Sequence, residues 1–116
     1  MIKKMLMAAA LLSVTACSAI QIPPERLERN EAGIRSAEEL GAQNVPEAKL
    51  HLQMAKDETE QAKKLAQKGD DRAVLVLARA ESDSELAMAL AREAAVHAEA
   101  AKAAEDLKAV RTRGNQ

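Results

Sequence analysis

Residues 71–101 read DRAVLVLARAESDSELAMALAREAAVHAEAA, and their spacing decides the fold. Ala73, Leu77, Ala80, Ser84, Ala87, Ala91, Ala94, Ala98 and Ala101 follow one another in steps of four and three. That rhythm keeps one stripe of small side chains on one face of an α-helix. Small seam residues let two helix backbones approach toward the short end of the usual range of about 8–10 Å. The core so formed is thin, because burying a methyl group contributes far less than burying a leucine side chain. No helix breaker follows until Gly114. This predicts a helix over 71–112, roughly 60 Å long at about 1.5 Å per residue.

Working back along the chain, Ala48, Leu52, Ala55, Thr59, Ala62 and Ala66 repeat the same steps, predicting a partner helix over 46–68. Pro46 suits its first turn, and Glu47 is favourable beside the positive end of the helix dipole. Gly69 fits the left-handed position that ends it, and Asp70-Asp71 offer an N-cap for the next helix. Pro23-Pro24 opens an earlier helix over 24–40, stopped by Gly41, which contributes Leu27, Ile34, Ala37 and Leu40 as cover. Short turns make successive helices antiparallel neighbours. The expected fold is therefore all-α, an antiparallel three-helix arrangement with alanine-rich, coiled-coil-like packing over 25–113. Glu25 with Arg29, Glu31 with Arg35, and Glu60 with Lys64 stand four apart and would each add a few tenths of a kcal/mol. For Val74-Leu75-Val76-Leu77 the leading expectation is core packing under the first helix or under Ile20 and Ile22, and the sharper one is an exposed docking patch.

The N-terminus carries an address. Lys3 and Lys4 precede an apolar run, and Val14-Thr15-Ala16-Cys17 ends it with small residues before the chain's one cysteine. A basic start, a short apolar stretch and a small-residue cleavage site make a signal peptide over 1–16. The run is too short to cross a hydrocarbon core, which takes roughly 20 residues. A lone cysteine at the cut, with no disulfide partner, reads as a bacterial lipoprotein site. Lipidated Cys17 would then anchor the chain, with residues 17–24 as a tether. Several acyl chains hold a protein far more firmly than one, at about 0.8 kcal/mol per buried methylene. Ser18 rather than Asp follows the cysteine, which points to the periplasmic face of the outer membrane.

Composition excludes several function classes. Without Lys3 and Lys4 the chain keeps 15 basic side chains against 18 acidic ones, and it has no aromatic residue. That leaves no electrostatic footprint for nucleic acid and no ring on which a base or a sugar stacks. His51 and His97 lie on different helices, and no cysteine or further histidine completes a metal set. Ser84 has no histidine near it in sequence to activate it. Glu81, Asp83 and Glu85 read as a solvated acidic face. No catalytic residue, metal site, cofactor or small-molecule substrate is expected.

The run Ile34, Ala37, Gly41-Ala42, Pro46-Glu47, Ala48, Leu52, Ala55, then Lys68-Gly69-Asp70 and the alanine ladder from Ala73, resembles the domain of unknown function 4398 of small bacterial envelope lipoproteins. The Gly-Ala-x-x-x-Pro-Glu junction and the Gly-Asp turn are the most specific pieces, and the resemblance spans about Ile34 to Leu107. It implies a helical envelope protein and transfers no catalytic residue. Relatives can carry an OmpA-like peptidoglycan-binding domain, which this sequence does not show.

One mismatch of length bears on function. If Ala66 lies near Ala73 across the turn, the second helix is used up beside about Glu93. Roughly 18 residues, Ala94 to Arg111, then lack an intramolecular partner and show two apolar stripes. One is Ala94, Ala98 and Ala101; the other is Val96, Ala100, Ala103, Leu107 and Val110. Val96, Ala100, Ala103 and Leu107 are the candidate partner-binding residues, for a second copy of the chain or another envelope protein. The competing reading is a solvated alanine-rich helix held by its own propensity. The expected function is a non-enzymatic structural or adaptor lipoprotein. The alternatives are noncovalent binding of peptidoglycan or lipid through Lys102, Lys108, Arg111 and Arg113, or a spacer similar to the major murein lipoprotein. The terminal Arg113-Gly114-Asn115-Gln116 lacks the lysine that such a spacer uses for covalent attachment.

Overall fold

The computed structural model describes residues 21–115. The leader, Cys17 with its expected lipidation, and Ile20 lie outside the described residues. Among the described residues the fold is all-α, with three helices: α1 over Pro24–Glu39, α2 over Pro46–Gln67 and α3 over Arg72–Gly114. A single 3₁₀ turn, Ala42–Asn44, links α1 to α2. Pro24 and Pro46 stand where expected, at first helical positions, where a missing N–H costs nothing.

Two glycines make the corners. Gly41 (φ 79°) and Gly69 (φ 68°) adopt the left-handed conformation that a Cβ disfavours. After α2, the N–H of Gly69 donates to Ala66 and that of Asp70 to Leu65, both at 3.0 Å. This paired arrangement satisfies two carbonyls left open by the helix end. The start of α3 departs from expectation in one detail. Asp71 makes no side-chain cap; instead Asp70 Oδ1 accepts the Arg72 N–H at 3.0 Å. The Arg72 guanidinium also donates to that carboxylate at 2.6 Å and holds its pKa down at about 2.

The predicted seams are buried over most of their length: Ala48, Leu52, Ala55, Thr59 and Ala62 of α2, and Ala73, Leu77, Ala80, Ser84, Ala87 and Ala91 of α3. Their ends are not, since Ala66 and Ala94 are half-buried and Ala98 and Ala101 are exposed. Ile34 and Ala37 of α1 close the core, with Ala42 beneath the linking turn. Leu77 is the one large side chain fully buried among the described residues.

Three expectations are corrected. Leu40 is 40% exposed rather than covering the pair, because it falls just past the last turn of α1. Asn30, a residue absent from the expected core and nearer the start of α1, is buried. Of the four-residue apolar run, Leu77 is buried, Val74 and Val76 are half-buried, and Leu75 is 69% exposed. Two covering helices reach only part of the way round α3, so four consecutive residues, spread over all its faces, are not all covered. Finally, Glu31 and Glu60 are not spent on Arg35 and Lys64. Both bind Lys63, at 2.8 and 2.9 Å.

Candidate interaction surface

At mid-height one polar layer crosses the core. Asn30 Nδ2 of α1 donates to Thr59 Oγ1 of α2 at 2.6 Å, and Thr59 donates to the Ala55 carbonyl at 2.5 Å. Ser84 of α3 donates to the Glu81 carbonyl at 2.8 Å, with Asn30 Oδ1 3.5 Å away. Gly33 lets α1 come this close, since a Cβ there would sit 3.1 Å from Ser84 Oγ. Polar groups buried in a helix seam fix which residues face one another.

Ion pairs rim this layer and tie the helices together. Arg26 of α1 binds Glu81 of α3 through two hydrogen bonds of 2.7 and 2.6 Å, and that contact raises the arginine pKa further. Lys56 of α2 pairs with Glu38 of α1. His51 Nδ1 of α2 lies 2.7 Å from Asp83 Oδ1 of α3. The acidic run is therefore only partly a solvated face: Glu81 and Asp83 hold helices together, and Glu85 alone is exposed. Glu58 of α2 is packed beside Asp83, and burial followed by the nearness of that carboxyl raises its pKa. Arg79 opposes the rise from 3.4 Å, while Glu58 Oε2 is buried without a hydrogen-bond partner.

A cleft of about 400 Å³ opens between α1 and α3 beside Arg26, Asn30 and Ser84, but the hydrogen bonds above already occupy all three. His97 faces Glu93 of its own helix at 3.5 Å, and both are exposed. No group of three metal-ligating side chains occurs among the described residues. None of the described helices is long and apolar enough to cross a membrane.

What remains is α3 itself. Its last buried residue is Ala91 and Ala94 is half-buried, while every residue from Ala95 to Asn115 is exposed. The helix thus extends about 30 Å beyond the body it packs on. Val96, Ala100, Ala103 and Leu107 fall on one face of this extension and all are exposed, Val96 at 64% and Leu107 at 61%. Ala98 and Ala101, the end of the other stripe, are exposed as well.

No family model matches the chain, and neither a curated protein nor a solved structure matches it.

The exposed face does not begin at Val96. Stepping back by three and four gives Glu93, Ala89, Leu86, Ser82, Arg79 and Leu75, every one of them exposed. This outer seam lies opposite the buried seam of Ala73, Leu77, Ala80, Ser84, Ala87 and Ala91. It runs the length of α3 and is interrupted by two charges, Arg79 and Glu93. The continuation through Leu86 and Leu75 was hidden in the sequence because Arg79, Ser82 and Glu93 break its apolar character. Only the four-three spacing marks it.

Proposed function

We propose that this protein is a non-enzymatic structural or adaptor module of the bacterial envelope, and that α3 is its docking element. The observation that carries the reading is the bare extension of α3, which presents Val96, Ala100, Ala103 and Leu107 with nothing packed on them. A helix that keeps a regular apolar stripe where no neighbour exists within the chain is built to receive a helix from outside it. The leader and Cys17 supply the location: a lipid anchor on the periplasmic face of the outer membrane, with the helical body held close to the bilayer. The resemblance to the domain of unknown function 4398 supports the same setting.

Photo-crosslinking residues placed at Val96 and Leu107 in cells test the docking reading, with Gln53 on the exposed back of α2 as the control. Discrete adducts from Val96 and Leu107 but not Gln53 are expected. No adduct from either α3 site would end it. Cys17→Ser, followed by membrane fractionation, tests the anchor, and release into the soluble periplasm is the expected outcome.

The second reading rests on the exposed basic residues near the end of α3, Lys108, Arg111 and Arg113. They could meet acidic groups of peptidoglycan or lipid. Co-sedimentation with purified sacculi at low salt checks it, and absence of retention removes the peptidoglycan version.

A further inference from the structure

We infer that the occupant of the outer seam is a second copy of this chain, paired antiparallel through α3. The inference deepens the docking reading and rests on it. Charge and register carry it. Place two α3 helices antiparallel about a two-fold axis at Ala98. Facing layers of the outer seam then become Leu86 on Val110, Ala89 on Leu107, Glu93 on Ala103 and Val96 on Ala100, each occurring twice by symmetry. Leu86, Val96, Leu107 and Val110, four of the large apolar residues exposed in the single chain, are all covered. The overlap spans residues 82–114 of each copy, about 50 Å of helix.

The flanking charges select this register. Arg92 of one copy lies beside Asp106 of the other, and Glu85 beside Arg113, again each twice. All four side chains are exposed, and none joins an ion pair within the chain among the described residues. Against them stands a single like-charge approach, Glu99 to its own copy. Reducing the overlap by one heptad step sets Arg92 beside Arg113 and Glu99 beside Asp106, all like charges. Moving one step the other way sets Arg92 beside Glu99, which is favourable, but offsets it with Glu85 beside Asp106 and seats Val110 on Arg79 within the seam. A parallel, in-register pair stacks Glu93 on Glu93 and Arg79 on Arg79 within the seam. Flanking charges of this kind choose partner and orientation in paired helices. Space permits the arrangement. The outer seam lies opposite the face that packs on α1 and α2, so each extension crosses its partner's free side.

The test uses residues 18–116, which contain every described helix and all contacts among them. Sedimentation equilibrium should give a dimer. Arg92→Asp and Asp106→Arg should each raise the dimer dissociation constant about tenfold or more, and the double variant should restore it. Spin labels at Ala109 should lie roughly 33 Å apart along the axis in the antiparallel dimer, against less than about 15 Å in a parallel one. Circular dichroism on each variant checks that helicity is kept, as expected for exposed positions. A monomer, single reversals without effect, a double variant no better than either single one, or closely spaced Ala109 labels would each overturn the pairing. A monomer would still leave the docking reading open to its own crosslinking test with a different envelope partner.

Discussion

Asn30 shows how a single polar residue governs this small core. Its amide nitrogen donates to Thr59 Oγ1, and that hydroxyl in turn donates to the Ala55 carbonyl, so a methyl of the same shape in its place removes both bonds. Thr59→Val should lower stability by about 1–3 kcal/mol, the range for a buried donor left unsatisfied, measured by thermal unfolding. Glu58 acts in the opposite sense. Its pKa is raised in the folded protein by burial and by Asp83, so the folded state holds its proton more tightly than the unfolded chain does. The resulting stabilisation is complete below the unfolded value near 4.5 and is lost as pH rises through the higher folded value. Glu58→Gln should therefore raise the melting temperature at pH 7 relative to the unmodified protein, with the gain shrinking toward pH 4. An equal shift at both pH values would rule this out. Thr59 and Ser84 could be read from the sequence as seam residues. Asn30 could not, because an asparagine amid Glu and Arg residues on α1 carries no apolar signal.

At the scale of the helices, stability is concentrated unevenly. Most buried positions are alanines, which have little to lose, whereas Leu77 is fully enclosed. Leu77→Ala should cost about 2–5 kcal/mol. Leu75→Ala, two residues away on the open face, should change stability by no more than about 0.5 kcal/mol. Chemical denaturation of the two variants side by side makes the comparison, and equal losses would contradict the burial pattern. The helix ends were legible to within a residue or two, since Pro24, Gly41, Pro46 and Gly69 each impose a local backbone constraint. The ion pairs were not. Spacing of four along one helix predicted Glu31 with Arg35, but Lys63 on α2 is the partner used. A cross-helix partner depends on how the helices rotate against one another, which local spacing does not encode.

At the scale of the whole molecule, α3 divides into a packed half and a bare half. Truncation after Glu93 removes only half-buried or exposed residues. The melting temperature of the remaining body should fall by only a few degrees at low protein concentration, while self-association is lost. A collapse of the fold on truncation would show that the extension supports the body. The sequence by itself determined the all-α class, the order and approximate limits of the three helices, and the two alanine seams. These follow from periodicity and from proline and glycine, which act over a few residues. It also carried the length mismatch that exposes Val96, Ala100, Ala103 and Leu107, since that needs only the pairing of α2 with α3. The tertiary structure alone decided that Asn30 is buried, that Leu75 and Leu40 are not, and that Glu81 and Asp83 bridge helices. It also revealed that the exposed outer seam continues past the body to Leu75, broken only by Arg79 and Glu93. Apart from Leu40, whose exposure follows from where α1 ends, each depends on which side of α3 the other two helices occupy, and that is settled by three-body packing rather than by any local spacing.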